Sequence, residues 1–362
     1  MPTRPGAAFL AANDLVSAVE AFQCAVPSRA AQDVVVQGLR QRHLDLERAQ
    51  QGEPYFRDLR EVWVETAYWT IVQDGFVYNH DVHAKNLASS PYVQGRVTAD
   101  GQGVVATLPR PRLDIRQACV LMGGDDNYSH WLYRNVIKLS TLDRAGILFE
   151  RPWLMNADLR RHQREYLELL GQTPDRLILV ERPSVVACSD VRVPALLIGK
   201  RAIAGGIEWL HERFRPWMAP RGHRRRRLLI SRRDEPRRAL ANESALAAAL
   251  APFGFETIVP GELPVREQIA AFSSAEFIVA AHGAGLTNML FAPSTARIVE
   301  IASTAILHMD LFRMLAKATG QRVETVVSDD YRVPARQIGV NTPYWVAVPE
   351  VIQMVERMLA EG

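Results

Sequence analysis

The sequence predicts an α/β fold with two domains, each built around a parallel sheet. Short apolar runs that suit buried strands alternate with amphipathic helical stretches in two successive blocks, which is typical of parallel sheets flanked by helices. The chain has 362 residues, more than one hydrophobic core usually fills, and its 48% apolar residues suffice for two cores. We therefore predict domains over residues 1–200 and 201–340, followed by a closing helix in residues 341–362.

The first block follows a region of weaker patterning. Residues 15–22 have helical spacing, and residues 61–107 contain period-two stretches interrupted by Asp-Gly pairs, which predict short antiparallel strands. His80 and His83 have the spacing of two metal ligands, but no third ligand accompanies them, so we interpret them as loop residues and predict no metal site. Strands and helices then alternate. The predicted strands are 117–122, 153–155, 176–180, 185–188 and 191–198, and the predicted helices are 128–142 and 159–170.

The second block repeats this alternation and ends with an amphipathic helix over residues 348–359. In open α/β sheets, ligands bind outside the carboxyl ends of the strands, so residues that follow these strands are candidates for a binding site. The predicted strands are 227–231, 255–259, 277–281, 297–301 and 322–327, and the predicted helices are 205–218, 242–251, 264–272, 286–291 and 305–319.

The turn after the third strand of this block is the main candidate site. There, His282 is followed by Gly283, Ala284 and Gly285, and a helix is predicted to begin at once. Glycines allow a ligand to approach the backbone, and a helix N-terminus carries partial positive charge, so the expected ligand is an anion such as a phosphate. A purely geometric role for the glycines stays open. Asn288 occupies the place of the third glycine of the dinucleotide-binding pattern, which disfavours a hydride-transfer cofactor.

Charged residues beside the neighbouring strands add to this site. Glu300 lies near the carboxyl end of the next strand, where a carboxylate suits the diol of a ribose. Arg232 and Arg238 follow the first strand of the block, and a planar guanidinium group suits bidentate binding of a diphosphate. A solvated loop position is the alternative interpretation for both arginines.

Composition restricts the class of protein. The formal net charge is only +3, yet arginines crowd residues 221–238. No aromatic residues interleave this basic run, so no nucleic-acid partner is predicted, and contact of Arg221 to Arg227 with a membrane surface is the minor alternative to a solvated face. Three widely spaced cysteines, no secretory signal and no apolar run of about 20 residues predict a cytoplasmic protein, with peripheral contact to the inner membrane as the alternative.

Four patches of the sequence, taken in order, carry a resemblance to a known family. They are Asn127-Tyr128-Ser129-His130-Trp131-Leu132, then Ser231-Arg232 with Arg238, Asn242 and Glu243, then Glu267-Gln268 with Phe272 and Ala275, and finally His282 to Asn288 with Glu300. Together they resemble glycosyltransferase family 61, whose bacterial members are often called capsular polysaccharide biosynthesis proteins. The resemblance covers residues 117–301, and its last patch is the most specific.

This resemblance implies a GT-B-like architecture, in which two Rossmann-like lobes face each other across a cleft. It also implies an inverting, metal-independent transfer of a sugar from a nucleotide-sugar donor to a hydroxyl of a glycan or other acceptor, without a further cofactor, in bacterial surface-polysaccharide assembly. The sequence contains no Asp-x-Asp, by which many metal-dependent sugar transferases hold a divalent ion. The alternatives are a non-catalytic assembly protein that binds nucleotide or glycan and, less favoured, a nucleotide-dependent oxidoreductase.

The candidate residues fall into two roles. Family members commonly have an acidic residue four positions after the motif histidine, whereas this chain has Arg134. We expect His130 to be the catalytic base, because an imidazole can accept the proton of a hydroxyl, and Asp126 is its rival. Trp131 is expected either in the core or stacked on a sugar ring. The predicted donor-binding residues are Arg232, Arg238, His282, Gly283, Ala284, Gly285, Leu286, Thr287, Asn288 and Glu300.

Overall fold

The computed structural model describes residues 56–73, 103–197, 200–220, 225–328 and 331–361, together with short strands at 23–25, 33–42, 76–78 and 96–97. The predicted helix at 15–22 and the two histidines His80 and His83 lie outside the described residues. The chain divides into two compact units. One comprises Met1–Asp126, Arg134–Arg160 and Gln172–Ala202, and the other comprises Asn127–Tyr133, Arg161–Gly171 and Ile203–Gly362.

The first unit contains a mixed sheet. In chain order its strands are β1 (Gln23–Ala25), β2 (Asp33–Arg42), β3 (Phe56–Glu65), β4 (Thr70–Gln73), β5 (Phe76–Tyr78), β6 (Arg96–Val97), β7 (Gly103–Pro109), β8 (Leu113–Ile115), β9 (Cys119–Gly123), β10 (Trp153–Asn156), β11 (Leu177–Val180) and β12 (Val185–Pro194). Across the described part of this sheet the order is β11-β10-β9-β12-β3-β4-β5-β2-β7-β6, with β1 beside β2 and β8 beside β12.

Both kinds of pairing predicted for this part of the chain are present. β9, β10 and β11 are parallel, as strand-helix alternation predicts, and β3, β4 and β5 are antiparallel, as the period-two pattern predicts. The predicted strands 185–188 and 191–198 form the single strand β12, which pairs with β3 along nearly its whole length. An ion-pair network ties these two strands together. Arg192, only 8% exposed, lies 2.8 Å from Asp58 and 2.5 Å from Glu150.

The helical segment α1 covers residues 128–144, close to the predicted 128–142, but it is not a regular α-helix. It passes from an α turn (Tyr128–His130) through a π turn (Trp131–Val136) and a 3-10 turn (Ile137–Leu139) to a second α turn (Ser140–Arg144). The Asn127 side chain caps its start by accepting the backbone N–H of Ser129 at 2.9 Å and of His130 at 3.3 Å. Trp131 is fully buried, so it belongs to the core.

The second unit is built on a parallel sheet. Its strands are β13 (Arg226–Ile230), β14 (Phe255–Ile258), β15 (Ala275–Ala281), β16 (Arg297–Ala302) and β17 (Arg322–Val327). The order across the sheet is β14-β13-β15-β16-β17, and every pairing is parallel. The chain therefore adds strands on one side of β13 and then on the other, as in doubly wound folds. The boundary between β13 and β15 is the topological switch point, where such sheets bind ligands.

Helices follow these strands much as predicted. They are α2 (Arg161–Leu170), α3 (Lys200–Phe214), α4 (Glu243–Leu250), α5 (Val265–Ser273), α6 (Leu311–Thr319) and α7 (Val348–Ala360). The predicted helix at 286–291 is a 3-10 helix over Ala284–Phe291, and α6 is shorter than the predicted 305–319. α3 ends at Phe214 because Pro216 cannot donate a backbone hydrogen bond. None of the helices in the described ranges is long and apolar enough to cross a membrane.

The closing helix α7 packs within the second unit. Val351, Val355 and Met358 are fully buried in one cluster with Leu246 and Leu250 of α4 and with apolar side chains of the sheet. Burial of each such side chain stabilises the fold by about 1.5–3 kcal/mol. The predicted domain ranges 1–200, 201–340 and 341–362 stay predictions.

Candidate functional site

A cavity of about 270 Å³ lies at the switch point of the second unit. Its walls come from the loops after β13 and β15, from the Pro260–Leu263 region, from the start of α1 and from α2. All of these residues belong to the second unit. Five of the ten predicted donor-binding residues line this cavity, namely Arg232, Arg238, Ala284, Gly285 and Leu286.

Arg232 and Arg238 bring positive charge to the cavity, whose lining also includes the carboxylates of Glu165, Asp234 and Glu235. Among the described residues, neither arginine forms an ion pair with them. Arg232 is only 8% exposed, and its Nη2 donates to the carbonyl oxygen of Arg237 at 2.8 Å. The Nε atoms of Arg232 and Arg238 are buried, and neither has a hydrogen-bond partner within the described residues. Burial lowers the pKa of Arg232, and the charge of Arg238 lowers it further. Burial, followed by the charge of Arg237, lowers the pKa of Arg238. Such an arrangement favours an anionic ligand.

The carboxylate of Glu243 fixes the backbone of Arg232 in the loop after β13. Glu243, the first residue of α4, accepts hydrogen bonds from the Ser231 hydroxyl and, at 3.0 Å, from the backbone N–H of Arg232. The next arginine differs, because Arg233 is exposed and its Nη2 lies 2.6 Å from Glu262. The loop thus buries Arg232 beside the cavity and leaves Arg233 paired with Glu262 at the surface.

Gly283 makes room for the Arg232 guanidinium. A Cβ atom at position 283 would lie 1.6 Å from Nη1 of Arg232 and 2.6 Å from its Cζ. The backbone of Gly283 is extended, with φ of 176°, so conformational strain does not demand glycine there. Gly285 is less restricted, since a Cβ atom there would lie 3.3 Å from Cγ of Pro260 and 3.4 Å from Cγ2 of Ile230.

A hydrogen-bond network joins the start of α1 to the 284–291 helix. The Tyr128 hydroxyl donates to Oδ1 of Asn288 at 2.6 Å, and the Thr287 hydroxyl donates to the Ser129 hydroxyl at 2.6 Å. Nδ2 of Asn288 donates to Oε1 of Gln268 at 3.0 Å. Burial raises the pKa of the Tyr128 phenol, so this hydroxyl keeps its proton at neutral pH. The network fixes the wall of the cavity.

His282 and Glu300 form a second buried pair at the carboxyl edge of the sheet. Nδ1 of His282 lies 2.5 Å from Oε1 of Glu300, and the two side chains are 7% and 3% exposed. The other oxygen of Glu300 accepts the Thr325 hydroxyl at 3.3 Å. The ring of Phe312 packs against the imidazole edge to face, with centroids 4.9 Å apart. Neither His282 nor Glu300 is among the residues that line the cavity.

A family model of known proteins matches the part of the chain that contains most of the cavity lining. Residues 128–299 match the family model described as Glycosyltransferase 61. These residues are a glycosyltransferase family 61 domain. The resemblance seen in the sequence patches is thereby confirmed.

Two proteins of Oryza sativa subsp. japonica are similar to parts of the chain. One, named β-1,2-xylosyltransferase XAX1, is 41% identical over 81 residues, which cover 22% of this chain and 14% of the relative. The other, named β-1,2-xylosyltransferase XYXT1, is 30% identical over 118 residues, which cover 32% of this chain and 21% of the relative. The chain thus spans only a small share of the length of the relatives it matches.

Within the family 61 domain, the predicted base His130 lies outside the cavity lining. Its ring contacts the ring of Tyr133 edge to face, with centroids 5.9 Å apart. The rival base, Asp126, precedes the matched range and is paired with Arg160 at 2.8 Å and Arg182 at 2.9 Å. Burial opposes ionisation of Asp126, but the hydrogen bonds from Arg160 and Arg182 outweigh it and lower its pKa. A carboxylate held in this way is a weak base, and both catalytic assignments stay predictions.

Four of the other predicted donor-binding residues have contacts within the protein, and their donor-binding role stays a prediction. Thr287 and Asn288 are fully buried in the network with α1, and Gly283 seats Arg232. Each oxygen of Glu300 has one hydrogen-bond partner, His282 or Thr325, and its binding of a ribose diol stays a prediction. Among the described residues, no three His, Cys, Asp or Glu side chains are grouped as a metal site requires.

The basic run at residues 221–227 lies partly outside the described residues, which resume at Arg225. Arg226 pairs with Glu256, and Arg227 lies 2.7 Å from Glu276. These two arginines are the first residues of β13, so they lie at the amino end of the strands, whereas the cavity lies at the carboxyl end. They are therefore neutralised by neighbouring strands, and membrane contact through Arg221 to Arg227 stays a prediction.

Sequence reasoning gave no role to several residues that build the site. Tyr128, Gln268 and Glu243 were part of the patches that resemble the family, which was their only signal. Glu165 of α2 also lines the cavity and accepts the backbone N–H of Val265 at 2.6 Å, thereby capping α5. No local pattern in the sequence marked that contact.

Proposed function

We propose that this protein is a glycosyltransferase that moves a sugar from a nucleotide-sugar donor to an acceptor hydroxyl, with the donor bound in the second unit. The observation that carries this proposal is the pair Arg232 and Arg238 at the switch-point cavity, whose Nε atoms are both buried without a hydrogen-bond partner among the described residues. The family 61 match supports the same class of reaction.

A nucleoside diphosphate can supply the negative charge and the acceptor oxygens that suit Arg232 and Arg238. Burying an unpaired charge costs several kcal/mol, and a bound anion offsets that cost. The diphosphate supplies acceptor oxygens for the two unpartnered Nε atoms, and the planar guanidinium suits bidentate binding of phosphate. A hydrogen bond to a charged group contributes about 1.5–3 kcal/mol, so each arginine accounts for roughly a 10- to 150-fold change in affinity.

The proposed reaction is a single displacement with inversion. A base removes the proton of the acceptor hydroxyl, and the acceptor oxygen then forms a bond to the anomeric carbon as the bond from that carbon to the donor phosphate breaks. The nucleoside diphosphate leaves with its negative charge, which Arg232 and Arg238 stabilise. His130 is the proposed base, with Asp126 as its rival.

Further parts of the proposal rest on sequence and family. We propose the GT-B arrangement, metal independence without a cofactor, a role in bacterial surface-polysaccharide assembly, and a cytoplasmic location, with peripheral contact at the inner membrane as the alternative. Metal independence is supported by the absence of Asp-x-Asp and by the arginines, which supply positive charge for the diphosphate. Because both relatives are named β-1,2-xylosyltransferases, a xylosyl donor is the first to test.

Calorimetric titration with uridine, guanosine and cytidine diphosphates tests the proposal. Arg232→Ala and Arg238→Ala should each weaken binding about 10- to 150-fold. Arg233→Ala is the matched control, because Arg233 is adjacent in sequence but exposed and paired with Glu262, and it should change affinity less than twofold. Binding of NAD with none of the diphosphates would favour the oxidoreductase instead.

Transfer assays with nucleotide sugars and oligosaccharide acceptors then test for turnover. The proposal expects product in EDTA as well as in Mg²⁺ or Mn²⁺. The second candidate function is a non-catalytic binding protein, and one observation favours it, namely that Asp126 is held in ion pairs while Arg134 replaces an acidic residue. Tight diphosphate binding without transfer in any donor and acceptor combination would support that candidate.

A further inference from the structure

The His282–Glu300 pair is built by the register of two parallel strands. Glu300 of β16 is paired with Ala280 of β15. Side chains two residues apart along a strand lie on the same face, so His282, just after β15, follows Ala280 onto the face that carries Glu300. The backbone N–H of His282 donates to the carbonyl oxygen of Ile301 at 2.8 Å, which extends the ladder by one bond and fixes the position of the imidazole.

The pair leaves one nitrogen of the imidazole for another partner. Nδ1 of His282 lies 2.5 Å from Glu300, and Thr325 and Phe312 restrain the carboxylate and the ring respectively. Nε2 has no hydrogen-bond partner within the described ranges. Nε2 is not fully buried either, so it retains contact with solvent.

His282 belongs to a loop that borders the cavity, although its own side chain is not part of the lining. The residues on either side of the His282-Gly283 dipeptide, Ala281 and Ala284, both line the cavity. Gly283 lies directly against the guanidinium of Arg232. The imidazole is therefore carried by the same short loop whose next residue adjoins the Arg232 guanidinium. A carboxylate that accepts from Nδ1 fixes the ring orientation, as in other histidine–carboxylate pairs.

We infer that His282 donates a hydrogen bond from Nε2–H to the diphosphate of the donor, and that Glu300 is a positioning residue that acts through His282. The inference rests on the proposed function and deepens it, since it adds a third hydrogen-bond donor for the leaving nucleoside diphosphate. The proton stays on Nε2 throughout, so no further covalent step is added. Glu300 then orients the imidazole and does not bind a ribose.

Two substitutions at position 282 separate this role from a structural one. His282→Asn keeps an amide N–H near the place of Nδ1, and therefore keeps the bond to Glu300, but removes the donor at Nε2. His282→Gln places its amide N–H near the position of Nε2 and loses the bond to Glu300. The probes are uridine diphosphate, guanosine diphosphate and inorganic pyrophosphate, titrated by calorimetry, with the thermal midpoint of each variant measured in parallel.

We expect His282→Asn to weaken binding of the diphosphate probe about 10- to 100-fold with an unchanged thermal midpoint. His282→Gln should retain more affinity than His282→Asn. Glu300→Gln should weaken binding in the wild-type background, but it should add less than twofold in the His282→Asn background, because Glu300 acts only through the imidazole.

Each contrary result has a separate meaning. If His282→Asn binds within twofold of the wild type while Arg232→Ala loses binding, the inference is overturned and the proposed function survives. A greater loss in His282→Gln than in His282→Asn, accompanied by a lower thermal midpoint, would show that the pair is structural and would also overturn the inference. If the wild type binds none of the three probes, the proposed function itself fails.

Discussion

Replacement of Gly283 by alanine is the most direct test of how the cavity is built. The added Cβ atom would lie 1.6 Å from Nη1 of Arg232, whereas real Cβ contacts essentially never fall below 3.0 Å. The guanidinium must therefore retreat by about 1.4 Å. Because Nη2 of the same guanidinium donates to the carbonyl oxygen of Arg237 at 2.8 Å, we expect this movement to weaken that hydrogen bond and to shift the arginine within the cavity.

The expected loss of affinity is that of the hydrogen bond between the Arg232 guanidinium and the diphosphate. A hydrogen bond to a charged group contributes about 1.5–3 kcal/mol, so Gly283→Ala should weaken nucleoside-diphosphate binding roughly 10- to 150-fold. Gly285→Ala is the matched control. Its Cβ atom would lie 3.3 Å from Pro260 and 3.4 Å from Ile230, and a shift of a few tenths of an ångström by these neighbours accommodates it. That variant should lose less than about fivefold, or under 1 kcal/mol.

A double-mutant cycle measured by calorimetry decides whether Gly283 acts through Arg232. In the Arg232→Ala background the side chain that would collide is gone, so Gly283→Ala should have almost no further effect on affinity. Two results would refute the reasoning. Wild-type affinity in Gly283→Ala would mean that the guanidinium has room to move without consequence. An equal loss in both backgrounds would mean that the methyl group blocks the ligand itself.

Other predictions address the base, the network and the ion pairs. His130→Ala should lower turnover about 10²- to 10⁴-fold with diphosphate affinity nearly unchanged, and Asp126→Asn should have a smaller effect; the reverse ranking in a transfer assay would make Asp126 the base. Tyr128→Phe removes the hydroxyl donated to Asn288 and should cost about 1–3 kcal/mol in chemical denaturation, whereas unchanged stability would show that the amide oxygen finds another donor. The hydrogen bond from Arg182 lowers the pKa of Asp158 to about 2, so this interaction stabilises the fold above the ordinary carboxyl pKa and is lost as the pH falls through about 2. The stability difference between wild type and Asp158→Asn should therefore be present at pH 5 and close between about pH 4 and 2, and a gap that persists at pH 2 would contradict the assignment.

Local patterns predicted most of the secondary structure, because strand and helix periodicities depend on neighbouring residues. The five parallel strands of the second unit and the position of Arg232 at the end of β13 followed from such patterns. The sequence could not separate Arg232 from Arg233, because burial of one and exposure of the other depend on Glu243 and Glu262, which are distant along the chain.

The interpretation of Glu300 shows a second limit. Its position near the end of a strand was predicted, but its partner was not, since only the register of β15 against β16 places His282 beside it. The attachment of Tyr128 to the second unit is similar. It depends on a hydrogen bond to Asn288, 160 positions later in the chain, and no periodicity carries information over that separation.

The interleaving of the two units along the chain affects how this protein can be divided or recombined. The polypeptide passes between the units five times, so no single cut separates them. A fragment that starts at residue 203 would lack Tyr128 and Ser129, and Asn288 and Thr287 would lose the partners that fix the cavity wall. To transfer donor specificity from a homologue, residues 127–133 and 161–171 would therefore have to be exchanged together with the C-terminal segment that starts at residue 203.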